Sequence, residues 1–199
     1  DGLMPNRRYE FRAQARNGDG EQTLYSQIGS AYTHANIPSP AAFTGVTIFS
    51  LQAQWGHNNN PPGTLYLCEN TTNGTSSGWT ILTSWNNTHL QPNTRFTYRV
   101  KAQNATGLET DFSAETRKYS AIETPTGTVF GTVTASSIQV KSQNTSTGLN
   151  RSASGLRFEN VTTSQMSAWQ QNNEFWTNGS LMPNTLYVFR AQARNGDMD

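Results

Sequence analysis

Asparagine amides are the groups whose spacing in this sequence points most directly to chemistry. Eight of them stand two residues before a Ser or Thr: Asn70, Asn73, Asn86, Asn104, Asn144, Asn150, Asn160 and Asn178. That spacing is the acceptor pattern for an N-linked glycan. Asn70 and Asn160 follow equivalent segments, Cys68-Glu69 and Phe158-Glu159, and a sugar there is expected to project from a loop. Asn86 and Asn178 fall in matching turns, and Thr71-Thr72 and Thr75-Ser76-Ser77 are candidates for O-linked sugar. Other chemistry is thin. His34, His57 and His89 lie in three different regions without metal-ligand spacing and read as solvated loop residues. Cys68 is the only cysteine, which excludes an internal disulfide and a cysteine-built zinc site. It sits two residues after Tyr66 on the same strand face and is expected to be a buried, inert thiol. Asn17-Gly18-Asp19-Gly20-Glu21 lacks the full ligand series of a calcium loop and reads as a turn. With no glycine-rich phosphate loop, Gly-x-Ser-x-Gly elbow or paired-carboxylate motif, the expectation is no catalytic residue, no cofactor and no metal.

The composition narrows the surroundings. Of 199 residues only 14% are charged, with a formal net charge of +1, and Asn, Thr and Ser fill about a third of the chain. About a quarter charged is usual for soluble domains. A surface of amides and hydroxyls has no basic footprint for nucleic acid and no polybasic patch for anionic lipid. No apolar run approaches the ~20 residues of a membrane helix, so no membrane insertion within this segment is expected. The chain opens at Asp1 without a basic and apolar leader, so any signal peptide is expected to be removed or to lie outside this window. Five tryptophans with the Tyr and Phe residues supply material for a core.

Internal repetition organises the chain. Leu3-Met4-Pro5-Asn6, Leu90-Gln91-Pro92-Asn93 and Leu181-Met182-Pro183-Asn184 stand 87 and 91 residues apart, each leading into an alternating run. Tyr9, Phe11, Ala13 and Ala15 alternate with Glu10, Arg12, Gln14 and Arg16. Phe96, Tyr98, Val100 and Ala102 do the same, as do Tyr187, Phe189, Ala191 and Ala193. Such runs are strands with one buried and one wet face. Leu51, Ala53 and Trp55 form a shorter alternation, answered by Ile138 and Val140. Asn-Gly and Thr-Gly turn signals separate the runs, and no stretch holds helical periodicity. A unit of about 90 residues is a small domain. The pattern predicts an all-β chain of tandem antiparallel β-sandwiches.

The Leu-x-Pro-x-Thr-x-Tyr approach to the sixth strand resembles that of the fibronectin type III domain. Leu181, Pro183, Thr185 and Tyr187 match in full; Phe96 replaces the tyrosine in the middle unit, and Arg7 replaces Thr before Tyr9. The resemblance implies a tyrosine corner at Tyr9 and Tyr187, absent at Phe96, and structural core roles for Trp55 on the second strand and Tyr66 on the third. Ser142 and Leu156 depart from those positions in the last unit. Some members of the family carry an Arg-Gly-Asp integrin motif in the last turn; here Arg16-Asn17-Gly18-Asp19 interrupts it. On this mapping residues 1–36 hold the last two strands of one repeat, residues 37–124 a complete domain, and residues 125–199 a domain without its last strand.

The functional expectation is a non-catalytic, secreted or cell-surface structural or adhesive protein, a section of a longer array that forms or decorates a fibre or sheath. Its partners would be copies of itself, adjacent repeats and glycans. Head-to-tail strand complementation is one route to a fibre, although the sixth strand would then be supplied twice. The alternative is a carbohydrate-binding or spacer module of a larger secreted enzyme or adhesin, with Trp79 and Trp85 engaging sugar. Burial of those tryptophans would weaken that version.

Overall fold

The alternating runs form strands along the whole chain, and no helix occurs among the described residues. The computed structural model describes residues 2–199, with Ala41 described by its backbone alone. The leading segment forms β1 (Arg8–Phe11) and β2 (Gly29–Tyr32). The middle repeat forms β3 (Ser39–Thr44), β4 (Leu51–Gly56), β5 (Leu65–Asn70), β6 (Thr75–Ser76), β7 (Ser84–Asn87), β8 (Arg95–Gln103) and β9 (Thr116–Tyr119). The last repeat forms β10 (Thr128–Val133), β11 (Ile138–Ser142), β12 (Gly155–Asn160), β13 (Gln165–Met166), β14 (Trp176–Asn178) and β15 (Phe189–Arg194). The sheet orders are β1-β2, β3-β4-β7, β6-β5-β8-β9, β10-β11-β14 and β13-β12-β15. The middle and last repeats thus each contain a three-stranded sheet of the same pattern and a second sheet built on a central hairpin partner, which is the tandem antiparallel sandwich the sequence predicts.

Contacts gather into two compact units. The first comprises Asp1–Ala42, Ala53–Trp85 and Thr97–Thr116; the second comprises Phe43–Gln52, Asn86–Phe96 and Arg117–Asp199. In the first unit β5 pairs antiparallel with β8, Tyr66 opposite Ala102 and Cys68 opposite Val100. Those inward residues, with Tyr98, are all buried, as period-two alternation requires. Trp55 packs tilted on Tyr66 at 6.4 Å, and Trp85 meets Tyr98 edge-on at 6.0 Å. In the second unit Val140, Leu149, Leu156, Phe158 and Phe189 form one core cluster, flanked by Ile138, Trp176 and Tyr187. Leu156 and Ser142, where the first unit has Tyr66 and Trp55, are both fully buried, so the last repeat closes the same space with smaller groups. A Cβ on Gly155 would stand 3.0 Å from the Gln170 carbonyl, a tight contact beside the Leu156–Gln170 bridge.

The leading segment departs from the sequence expectation. Its alternation predicts one buried face, yet Phe11 is 57% exposed, and β2 is exposed at every residue. A strand buries a face only against a second layer, and none covers this hairpin among the described residues. β1 also stops at Phe11, paired on one edge alone by β2, whereas β8, hydrogen-bonded on both edges, runs unbroken to Gln103.

Candidate functional site at the asparagine joints

Two sets of asparagines recur at the repeat spacing. Asn6, Asn93 and Asn184 each follow the motif proline and adopt left-handed backbone, with φ of 47°, 43° and 54°. Asparagine tolerates that conformation because its short amide bonds locally. Asn17, Asn104 and Asn195 open the turn after the sixth strand. Each side-chain Oδ1 caps its own turn: Asn17 accepts from Asp19 N and Glu21 N, Asn104 from Thr106 N and Leu108 N, and Asn195 from Asp197 N and Asp199 N, all at 2.8–3.1 Å.

The two sets meet. In the first unit, Ala105 N donates to Asn6 Oδ1 at 2.9 Å, and Asn104 Nδ2 donates to Thr33 O at 3.2 Å. In the second, Gly196 N donates to Asn93 Oδ1 at 3.1 Å and Asn195 Nδ2 donates to Ser120 O at 3.3 Å. The equivalent atoms are used at both joints. Each proline-linked asparagine also spends its Nδ2 on the following repeat: Asn6 on Thr64 Oγ1 at 2.9 Å, Asn93 on Thr147 O at 3.0 Å and Gly148 O at 2.8 Å. Asn93 and Asn195 are buried, and Ser154 Oγ donates to Asn93 Oδ1 at 3.1 Å.

Further contacts set each joint's chemistry. Asn36 and Asn60 exchange two bonds, Asn36 N to Asn60 Oδ1 at 2.7 Å and Asn60 Nδ2 to Asn36 O at 2.8 Å. In the second unit Arg151 Nη1 donates to Asn93 O at 2.9 Å, and Tyr119 N donates to Asp197 Oδ2 at 2.9 Å. Lys118 reaches Asp197 and Asp199, and its hydrogen bond to Asp199 raises its pKa. The Tyr119 ring lies so close to Gly196 that a Cβ there would fall on it. These joints hold chain order through neutral amides and backbone, with charge as a supplement.

The glycan expectation needs correction at four positions. Asn70 and Asn160 end β5 and β12 with side chains fully buried, not projecting from loops. Asn70 Nδ2 donates to Tyr98 Oη at 3.2 Å and Asn70 Oδ1 accepts from Thr72 N at 3.1 Å. Asn160 Nδ2 donates to Asn178 Oδ1 at 2.6 Å, and Asn160 Oδ1 accepts from Thr162 N. Asn104 and Asn178 are likewise buried. A glycan on any of the four needs an amide that folding has already used. Asn73, Asn86 and Asn150 are exposed, and Asn144 is half-exposed, its Oδ1 bonded to Thr126 N.

The other singled-out residues fall as follows. Tyr9 and Tyr187 accept from Met4 N and Met182 N, each at 2.7 Å, while Phe96 is buried without a hydroxyl. Burial pushes the Cys68 thiol up to about 12, with the neighbouring Glu69 charge adding to the effect. Burial likewise raises Tyr66 and Tyr98. His34, His57 and His89 are exposed and far apart in sequence, and no group of three metal-ligating side chains occurs among the described residues. Trp79 and Trp169 are half-buried beneath cations: Lys101 Nζ lies 5.6 Å from the Trp79 ring, and the Arg157 and Arg194 guanidinium carbons lie 4.7 and 4.4 Å from that of Trp169. No helix among the described residues is long and apolar enough to cross a membrane. Of the joint asparagines the sequence reading names Asn104 alone as a candidate site, and as a sequon; the signal that finds the whole set is its recurrence at 87 and 91 residues.

No known family profile and no curated protein matches this chain. Solved structures that resemble it are fibronectin type III segments. A two-domain segment of chicken tenascin is 16% identical over 81% of this chain and 93% of that one, with a TM-score of 0.44. Three domains of chicken contactin (CNTN1 FN1-FN3) are 21% identical over 98% of this chain and 74% of theirs, with a TM-score of 0.37. The domain of human fibronectin type III domain containing protein 3 is 17% identical over 44% of this chain and 86% of its own, with a TM-score of 0.37.

Proposed function

We propose that this chain is a non-catalytic structural array whose repeats, bounded at residues 36/37 and 124/125, are held in fixed succession by the asparagine joints. The observation that carries the reading is the reuse of the same donor and acceptor atoms at both joints, which a linker of arbitrary orientation would not need. The neutral amide-and-hydroxyl surface suits close packing of copies into a fibre or sheath at the cell surface or outside the cell, with glycans at Asn73, Asn86 and Asn150. Head-to-tail strand complementation between copies is the proposed route of assembly. The sugar-binding alternative has less support, because Lys101 lies over Trp79 and Trp85 packs edge-on to Tyr98.

Spin labels test the fixed succession. Arg95→Cys and Val161→Cys are both exposed, and buried Cys68 stays unlabelled. A single narrow distance distribution is expected. A broad distribution in the parent chain would refute the reading.

A further inference from the structure

We propose that a groove beside the Asn86 sequon of the middle repeat seats the glycan carried by Asn86, with the exposed Phe49 ring packed under its first sugars. The proposal rests on the glycan reading above and names what holds that sugar.

Phe49 and Ser50, in the turn before β4, form one wall of the groove, and Thr88, His89, Leu90 and Gln91, after β7, form the other. All six belong to the second unit, and the groove measures about 640 Å³. Leu90 N donates to Phe49 O at 2.9 Å and ties the walls together. Leu90 is buried, whereas Phe49 is 58% exposed and Thr88 and His89 are exposed at the rim. Thr88 Oγ1 and His89 Nδ1 bond each other at 3.0 Å.

The turn that presents Phe49 does not need the ring. Thr47 N donates to Ser50 O at 2.9 Å, and Thr47 Oγ1 accepts from Phe49 N at 3.2 Å and from Ser50 N at 2.9 Å. One repeat later Thr134, Ser136 and Ser137 make the same three bonds at 2.8, 3.3 and 3.0 Å. Leu181 N donates to Ser136 O at 2.9 Å, as Leu90 N does to Phe49 O. Serine therefore builds the same turn, and a ring left mostly in water adds little to the core.

The ring and the sequon occur together. His89 and Ser180 share a φ of 59°, and Asn87 and Asn178 are both buried, which fixes the register of the two loops. Asn86 and Thr88 thus stand where Thr177 and Gly179 stand one repeat later. The last repeat lacks the sequon at this place and has Ser136 for the ring; the middle repeat has both. Asn86 and Thr88 are two residues apart on an extended chain, about 7 Å, with side chains toward the same side. Thr88 lines the groove, so the exposed Asn86 amide faces the same rim.

The chemistry of the walls suits a neutral sugar. None of the six residues is Lys, Arg, Asp or Glu, so nothing there selects an ionic ligand. A pyranose offers an apolar C–H face that packs flat on an aromatic ring, while its hydroxyls stay in water or bond His89 Nε2 and the Gln91 amide. A sugar already attached at Asn86 has an effective concentration of about millimolar or more, so one ring and two polar groups suffice to hold it. Seated there, it covers the loop that leads into Asn93 of the second joint.

The test produces the full chain in glycosylating cells as the parent, Phe49→Ser and Asn86→Gln. Phe49→Ser copies the residue that the last repeat uses in this turn, so the fold is retained. The native chains are treated with a peptide N-glycosidase, and chymotryptic mapping follows release at each site. Sugar should leave Asn86 about fivefold more slowly than Asn73 and Asn150, the scale of one well-packed aromatic contact. In Phe49→Ser the three rates should agree. Equal rates in the parent, or slow release that persists in Phe49→Ser, overturn the groove and leave the glycan reading standing. A bare Asn86 in the parent overturns the glycan reading at that site and the proposal with it. Free chitobiose should bind Asn86→Gln no more tightly than millimolar. Micromolar binding that Phe49→Ser abolishes overturns the attached glycan as occupant and assigns the groove to a partner's sugar.

Discussion

Replacing Asn93 by glycine removes the amide of the second joint while keeping the backbone at ease, since glycine accepts a φ of 43° without strain. The lost contacts are the bonds from Gly196 N and Ser154 Oγ to Oδ1 and those from Nδ2 to Thr147 O and Gly148 O. Each hydrogen bond contributes about 0.5–1.5 kcal/mol net, with more at stake where a buried group loses its partner. Glycine also loosens the unfolded chain, at about 0.4–1 kcal/mol. The expected loss is about 3–5 kcal/mol, read as a lowered urea midpoint with little change in slope. Asn184→Gly is the internal control. It has the same motif position and a φ of 54°, but the side chain is exposed and makes no joint, so little change is expected. A cost at Asn93 below about 0.5 kcal/mol, within the scatter of ordinary surface changes, would refute the argument. So would an equal cost at Asn184, because the asparagine would then serve its own turn and not the joint.

Further outcomes are expected. Gly196→Ala drives a Cβ into the Tyr119 ring and should destabilise by about 1–3 kcal/mol, whereas Gly18→Ala, with open space around it, should be near neutral; equal midpoints would count against a packed second joint. Cys68 has its pKa raised from 9.0 to about 12, so folding is favoured while the thiol is neutral in both states. Above pH 9 the unfolded chain loses that proton first, so stability should fall from there toward pH 12, and Cys68→Ala should flatten the slope. The native thiol should also resist disulfide reagents until denaturant is added. In glycosylating cells, mass spectrometry after glycosidase treatment should find sugar at Asn73, Asn86 and Asn150 and none at Asn70, Asn104, Asn160 or Asn178; modified Asn70 would contradict its buried bond to Tyr98.

The strands were legible because burial writes a period of two into a chain. Tyr66, Cys68, Tyr98, Val100 and Ala102 could be placed on one inner face from spacing alone, and the structure puts them there. Turn placement was legible through Asn-Gly pairs. The fate of individual amides was less so. A sequon reads the same whether its asparagine ends in a loop or, like Asn160, is folded under a neighbour to bond Asn178. Local sequence cannot distinguish the identical Ala-Gln-Ala-Arg-Asn-Gly runs at Ala13 and Ala191. One caps an exposed turn and the other closes a buried joint, because only the second has Asn93 and Ser120 within reach. The exposure of Phe11 against the burial of Phe189 has the same origin: the missing information is the opposing layer, which lies elsewhere in the chain.

The joints have a consequence for how such a chain can change length over generations. Each repeat presents the same atoms forward, a left-handed asparagine and a strand-end carbonyl, and the same atoms backward, an asparagine-capped turn. The amide pairing therefore travels with each repeat, whichever neighbour it was copied beside. Duplication or deletion of a whole period keeps the amide pairing at each remaining junction, while the side chains around it, such as Ala105 where Gly196 now meets Tyr119, must readjust to the new neighbour.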